Sequence, residues 1–157
     1  MVRMHKRLFL AGLAALAVAP AWSFHTLPEK FEPARDAVAD VQQAIALAQA
    51  QRKMVLVDVG GEWCSWCHVF DRFVARSPEV QKAIQERYIL LKVNYSPQNR
   101  NQALLSQWPR AQGYPHFYVL DAGGRVIASQ ASAELEAARD YDEAQVLAFL
   151  RRHALAQ

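Results

Sequence analysis

Apolar residues recur along the first half of the chain with two different periods. Over residues 34–51 they recur at three- and four-residue steps, which predicts a helix with one buried face. Residues 54–59 form a short, β-branched apolar run, which is typical of a buried parallel strand. The helical period returns over residues 64–75, and Ser77-Pro78 then predicts an N-cap and a new helix that ends near Arg87.

The second half of the chain is predicted to contain strand, helix, strand, strand and helix in that order. These elements are expected at residues 88–94, 98–108, 116–120, 125–129 and 142–150. Residues 121–124, Asp-Ala-Gly-Gly, are a hairpin turn. Because strands and helices alternate first and a hairpin comes last, we expect an α/β fold with a mixed central sheet flanked by helices on both faces.

The N-terminus has the three parts of a signal peptide. A basic start with no acid precedes an apolar run over residues 8–19, and Ala19-Pro20-Ala21 supplies small residues for cleavage. The run is too short to span a membrane as a helix. We therefore predict a signal peptide over residues 1–21, cleaved after residue 21 or 23, and an irregular mature segment over residues 22–33. A domain follows over residues 34–157.

Removal of the leader changes the charge of the protein. The full chain has 18 basic and 15 acidic residues, and the leader carries Arg3, Lys6 and Arg7. The mature chain therefore holds 15 of each and has no basic patch interleaved with aromatic residues, so nucleic acid is not an expected partner. Export predicts a periplasmic or secreted protein without a stable membrane span, in a compartment where disulfides persist.

Both cysteines lie in the stretch GGEWCSWCHVF, residues 60–70. A strand that ends at Val59 and a helix that begins near Cys64 place the first sulfur at a helix N-terminus, which favours the thiolate. Cys67 lies three residues further along nearly the same face, where it can attack a mixed disulfide formed by Cys64. This pattern predicts a redox-active pair, with Cys64 as nucleophile and Cys67 as resolving cysteine.

Four other interpretations of the stretch stay open. A zinc site needs four ligands, and the two cysteines with His68 leave one missing. The residues match the c-type haem motif C-x-x-C-H, but Met54 is the only mature thioether that could serve as second axial ligand. A structural disulfide closing so short a loop would contribute only about 2 kcal/mol. A binding module could keep the disulfide closed and hold a partner beside Tyr114-Pro115.

Asp58 is a lone acid inside the first predicted strand. A buried charge costs several kcal/mol unless it is paired or protonated, so an acid here needs a reason. It could simply reach solvent at the strand end. Our hypothesis is a buried carboxylate with a raised pKa that takes the proton from Cys67, with Lys92 of the next strand as its candidate partner.

Three motifs together resemble the thioredoxin superfamily. They are V-D-x-x-x-E-W-C-x-x-C at residues 57–67, K-V-N at 92–94 and G-Y-P at 113–115, and the resemblance covers about residues 34–153. Within the superfamily, W-C-x-W-C-H followed by S-P-E-V is similar to secreted thioredoxin-like proteins and, more loosely, to the thioredoxin-like domain of thiol:disulfide interchange proteins.

The resemblance implies an exported thiol:disulfide oxidoreductase that needs no organic cofactor and no metal. Asp58 would be the buried acid, and Pro115 the cis-proline across from the cysteines. Trp63, Trp66 and Tyr114 join Pro115 as candidate substrate-binding residues. The implied partners are protein thiols or disulfides and a redox protein that donates or accepts electrons.

The chain departs from thioredoxin at positions that influence potential and substrate choice. Ser65-Trp66 replaces Gly-Pro between the cysteines, and His116 follows the proline in place of threonine. The direction of electron flow and the substrate are therefore not predicted. Protonated His68 and His116 are candidates to stabilise a thiolate, although each could equally be a partly exposed histidine without a catalytic part.

Overall fold

The computed structural model describes residues 27–155, so the predicted signal peptide lies outside the described residues. The helices are α1 Ala37–Gln51, α2 Ser65–Arg76, α3 Pro78–Arg87, α4 Gln102–Leu105 and α5 Glu143–His153. The strands are β1 Met54–Gly60, β2 Tyr88–Asn94, β3 His116–Leu120, β4 Val126–Ala131, β5 Glu136–Ala137 and β6 Asp140–Tyr141. None of the helices within this range is long and apolar enough to cross a membrane.

The main sheet has the strand order β2-β1-β3-β4. β1 pairs with β2 in parallel and with β3 antiparallel, and β3 forms an antiparallel hairpin with β4. Successive residues of β1 face opposite sides of the sheet. Val55, Val57 and Val59 pack in the cluster that contains α1, whereas Met54 and Leu56 pack with residues of α2, α3 and α5. The predicted mixed sheet with helices on both faces is confirmed.

Side-chain caps define where two of the helices begin. The Asp36 carboxylate accepts hydrogen bonds from the backbone N–H groups of Val38 and Ala39, so α1 begins at Ala37 and not at the predicted residue 34. Asp142 caps α5 by accepting from the Gln145 N–H at 3.0 Å. These caps occupy backbone donors that have no partner inside the helix.

The predicted helix over residues 98–108 is wrong in extent, because only Gln102–Leu105 is helical. Asparagine side chains bind the backbone of the preceding loop instead. Asn94 Nδ2 donates to the Asn99 carbonyl at 2.8 Å, and the Asn99 side chain accepts from the Asn101 N–H at 2.9 Å. Asn101 has φ 44, a left-handed conformation that interrupts any helix through it. Local side-chain hydrogen bonds therefore compete successfully with the helical period.

The sequence analysis also missed the small β5–β6 hairpin between β4 and α5. A 3₁₀ turn, Ser132–Leu135, leads into it. Its last residue, Tyr141, is buried and contacts the aromatic side chains of α2, with ring centroids 5.0 Å from Phe70 and 5.7 Å from Trp66. The hairpin thereby packs against the buried face of the helix that carries the cysteines.

Candidate active site

Cys64 and Cys67 form a disulfide where β1 leads into α2. Cys64 is the N-cap residue of α2, with 5.3 Å between the two Cα atoms. Its Sγ accepts a hydrogen bond from the Cys67 N–H at 3.1 Å. Cys64 is 3% exposed and Cys67 0%. A helix N-terminus directed at Cys64 stabilises negative charge on that sulfur once the disulfide opens.

Gly60, the last residue of β1, allows the strand to approach the sulfur of Cys67. A Cβ atom at Gly60 would overlap the Cys67 Sγ and would lie 3.1 Å from Cζ of Phe31. The absent side chain is therefore a packing requirement of the site. This close approach also places Cys67 against the face of β1 that carries Asp58, two residues before Gly60.

Asp58 is buried without a hydrogen bond from any residue in the described range. It is 1% exposed, and its nearest charged group is the Lys92 Nζ, 3.7 Å from Oδ2. Burial raises the pKa of Asp58 to about 7, while the positive charge of Lys92 opposes the rise. The carboxyl can therefore exchange a proton near neutral pH.

Asp71 is a second carboxylate that the sequence analysis missed. Its Oδ1 accepts a hydrogen bond of 2.6 Å from Lys92 Nζ, so one ammonium group lies between Asp58 and Asp71. The negative charge of Asp71 adds to the rise in the pKa of Asp58. Asp71 is four residues after Cys67 on α2, and this spacing was the one available clue to a shared face.

Phe31 also belongs to the site and was not foreseen. It lies in the segment predicted to be irregular, yet it is 2% exposed and packs with Cys64 and Cys67. The Lys92 Nζ lies 4.4 Å from the centroid of its ring. A single aromatic residue in a proline-rich segment belongs to no periodic pattern. The hydrophobicity of Phe31 was therefore the only signal in the sequence that it is buried.

Trp63, Tyr114 and Tyr95 form an aromatic row beside the disulfide. Trp63 is 56% exposed, and its Nε1 donates to the Tyr95 carbonyl at 2.7 Å. The ring of Tyr114 meets Trp63 edge to face at 5.7 Å and stacks on Tyr95 at 4.7 Å. The Tyr114–Pro115 peptide bond is cis. The structure thus brings two predicted substrate-binding residues, Trp63 and Tyr114, together beside the pair, and Pro115 follows Tyr114 directly.

Trp66 is the predicted substrate-binding residue that the structure places differently. Its ring is partly buried, packs against both the disulfide cluster and the core beneath α2, and meets Tyr141 edge to face. The Trp66 ring therefore mainly packs α2 against the core, and only part of it is exposed to a partner.

The two candidate histidines have different positions. His68 lies in the first turn of α2, with Nε2 2.8 Å from the Glu62 carbonyl oxygen and 3.9 Å from its carboxylate. His116 is buried on the opposite face of the sheet from Asp58, since it is paired with Val59 and contacts Tyr118. Burial lowers the pKa of His116. Both its placement and its pKa disfavour a charged His116 beside the thiolate.

The zinc and haem interpretations of the motif both need further ligands from nearby side chains. Among residues 27–155 no group of three or more His, Cys, Asp or Glu side chains could hold a metal ion. Met54 is buried in the core at the start of β1, six residues and roughly 20 Å from Gly60. It therefore lies too far from the motif to serve as its second axial ligand.

A cleft of about 500 Å³ opens beside Tyr114. Its walls include the aromatic residues Tyr95, Trp108 and Tyr114 and the exposed residues Arg100 and Arg110. No carboxylate from the described residues lines it. The cleft is therefore an aromatic and basic surface that adjoins the aromatic row through Tyr95 and Tyr114.

The chain is similar in sequence to curated thiol:disulfide interchange proteins. The thiol:disulfide interchange protein DsbD of Salmonella paratyphi A is 30% identical over 125 residues, which are 76% of this chain and 22% of that protein. DsbD of Yersinia enterocolitica is 30% identical over 123 residues, which are 73% of this chain and 21% of the relative. The chain thus spans about a fifth of the length of these curated relatives.

Solved structures show the same fold. The disulphide isomerase from Xylella fastidiosa Temecula1 superposes with a TM-score of 0.67 at 23% identity, over 81% of this chain and 96% of that one. The C-terminal domain of Neisseria meningitidis DsbD in the oxidised form gives a TM-score of 0.54 at 21% identity, over 79% and 98%. A family model described as thioredoxin-like matches residues 36–122, more than half of the chain. The chain therefore belongs to the thioredoxin-like family.

Proposed function

We propose that this protein is a thiol:disulfide oxidoreductase that exchanges disulfides with partner proteins through Cys64 and Cys67. The observation that carries the proposal is the disulfide at the start of α2, next to a buried carboxylate whose pKa is about 7. The similarity to thiol:disulfide interchange proteins supports it. We further propose that the protein acts in the periplasm or after secretion, as the N-terminal pattern predicts.

In the reducing direction, the Cys64 thiolate attacks one sulfur of a substrate disulfide. A mixed disulfide forms, and the other substrate sulfur leaves as a thiolate. Cys67 then loses its proton and attacks the Cys64 sulfur, so the intramolecular disulfide closes and the second substrate thiolate leaves. Two electrons pass from the cysteine pair to the substrate, and the reverse sequence oxidises a substrate dithiol.

Asp58 is the proposed acceptor of the Cys67 proton. It lies on the same face of β1 as Gly60, and two residues of strand separate them by about 6.6 Å. Since the Gly60 position touches the Cys67 sulfur, the carboxylate lies on the side of the strand that the thiol faces. A pKa near 7 leaves Asp58 able both to accept the proton and to release it.

The aromatic row and the adjoining cleft are the proposed substrate surface. Trp63, Tyr114 and Pro115 offer apolar contact beside the disulfide, and the cleft extends this surface to Arg100 and Arg110. Its positive charge favours substrates with acidic residues near the reacting cysteine. The cycle requires no organic cofactor or metal, but a second redox protein must restore the pair after each turnover.

The proposal is tested by replacing Cys67 with alanine. The variant cannot resolve the mixed disulfide, so Cys64 should remain bound to substrate proteins and the adducts should appear on non-reducing gels. Cys64→Ala is the matched control, because it lacks the attacking sulfur and should trap none. If neither variant yields reducible adducts, the pair is not redox-active and a binding module with a closed disulfide takes its place.

A further inference from the structure

Phe31 reaches the redox site from outside the part of the chain that the family model matches. That match begins at residue 36, and Phe31 belongs to the segment before α1. Two hydrogen bonds hold the segment in place. The Phe31 N–H donates to Glu62 Oε1 at 3.1 Å, and Asn99 Nδ2 donates to the Pro33 carbonyl at 2.8 Å. Because the backbone is hydrogen-bonded at Phe31 and at Pro33, the Phe31 ring has a defined position.

The Phe31 ring closes the site between β1 and the disulfide. It packs with both cysteines, and its Cζ is 3.1 Å from where a Cβ of Gly60 would lie. Cys67 and Asp58 are almost completely buried in this arrangement. An apolar ring at this point excludes water from the sulfur and from the carboxylate behind it.

The same ring contacts the cation that neutralises the site. Lys92 Nζ lies 4.4 Å from the Phe31 centroid, 3.7 Å from Asp58 and 2.6 Å from Asp71. The π face of phenylalanine attracts an ammonium group, most strongly where both are shielded from water. Phe31 therefore provides a third contact that holds Lys92 near Asp58 as well as Asp71.

We propose that Phe31 is a positioning residue of the redox site, where its ring keeps water from Asp58 and Cys67 and holds Lys92 beside Asp58. This inference rests on the proposed oxidoreductase function and adds to it a contribution from the N-terminal segment. The groups that act on Asp58 from its surroundings are Lys92 on β2, Asp71 on α2 and the Tyr141 phenol on β6. Phe31 acts through this set and does not itself react.

The two effects of the ring on Asp58 have opposite signs, which allows them to be separated. Phe31→Ala admits water, and since burial is the largest cause of the raised pKa of Asp58, the pKa should fall. Phe31→Leu keeps an apolar cover but lacks the π face, so Lys92 is freer to move toward Asp71. The pKa of Asp58 should then rise above that of the wild type.

The test is an NMR titration of the Asp58 carboxyl carbon in the oxidised protein, with Asp58→Asn to assign the signal. The wild-type midpoint is expected at about pH 7. Phe31→Ala should lower it by about one pH unit or more, and Phe31→Leu should raise it. Leu27→Ala is the matched control, because Leu27 lies in the same segment but packs against the cluster on the α1 face. Its midpoint should equal that of the wild type.

A midpoint in Phe31→Ala at or above the wild-type value overturns the inference, as does a midpoint in Phe31→Leu at or below it. If Phe31→Ala does not fold, Phe31→Leu alone decides. The Cys67→Ala experiment distinguishes a failed role of Phe31 from a failed oxidoreductase function. Trapped substrates with unmoved Asp58 midpoints refute the role of Phe31 only, whereas a protein that traps nothing refutes the oxidoreductase function.

Discussion

Asp58 is the residue whose environment makes the sharpest prediction about stability. Its pKa is raised to about 7, so between roughly pH 4 and pH 7 the folded chain holds a proton that the unfolded chain has released. The contribution of Asp58 to the free energy of unfolding therefore falls as pH rises through this window. Asp58→Asn removes the titration, and at pH 8 it should increase the free energy of unfolding by roughly 2–4 kcal/mol.

The measurement is urea denaturation of the two oxidised proteins from pH 4 to pH 8. The difference between variant and wild type should be small at pH 4 and grow up to pH 7. Asp142→Asn serves as a control, since Asp142 caps a helix and is not buried. A difference that is constant with pH would show that Asp58 does not have a raised pKa.

Asp58 should also set the pH dependence of the step in which Cys67 resolves the mixed disulfide. In Asp58→Asn no carboxylate accepts the thiol proton, so we expect resolution to slow by about 10- to 100-fold at pH 7. The wild-type rate should rise through pH 7, following the pKa of Asp58. Stopped-flow tryptophan fluorescence measures this rate. Equal rates and pH profiles in the two proteins would exclude Asp58 as the proton acceptor.

At this scale, the sequence revealed the residues that are close along the chain or in adjacent strands. Cys64 and Cys67 are one helical turn apart, and the parallel register pairs Asp58 with Lys92. Phe31 and Asp71 could not be found in the same way. The spacing of Asp71 from Cys67 suggested a shared helix face, but the contacts of Asp71 and Phe31 with Lys92 depend on how α2 and the N-terminal segment pack against the sheet.

The junction between β1 and α2 depends on a glycine. Gly60→Ala places a methyl group into the Cys67 sulfur and against Phe31, and such overpacking costs about 1–3 kcal/mol. We expect urea unfolding of the oxidised variant to show this loss. Gly123→Ala in the β3–β4 turn is the matched control, because its methyl group would meet only the Asp121 side chain at 3.3 Å. If both variants lose the same free energy of unfolding, the contact with the Cys67 sulfur is not the reason for glycine at position 60.

Element prediction succeeded where periodicity and turn chemistry agreed. The strands at residues 88–94 and 116–120 have the predicted bounds, and Asp121 stabilises the predicted hairpin turn by accepting from the Gly123 and Arg125 N–H groups. It failed over residues 98–108. There the apolar spacing suggested a helix, but the asparagine hydrogen bonds of the loop shortened it to four residues.

Across the whole molecule, the charges next to the cleft predict a preference among substrates. Reversing both arginines, with Arg100→Glu and Arg110→Glu, should slow reaction with an acidic disulfide peptide by roughly tenfold at low salt and affect a basic peptide in the opposite direction. Arg151→Glu with Arg152→Glu on α5 changes the net charge equally at exposed positions that do not line the cleft. If both double variants behave alike, net charge and not the cleft determines the preference.

The central claim is that Cys64 and Cys67 interconvert reversibly between dithiol and disulfide. The most direct test is to equilibrate the mature protein in defined thiol/disulfide buffers and follow the fluorescence of Trp63 and Trp66. We predict a single two-electron transition that disappears in Cys64→Ala and Cys67→Ala, with two thiols counted only on the reduced side. A fluorescence signal and thiol count that do not change across the full buffer range would contradict it.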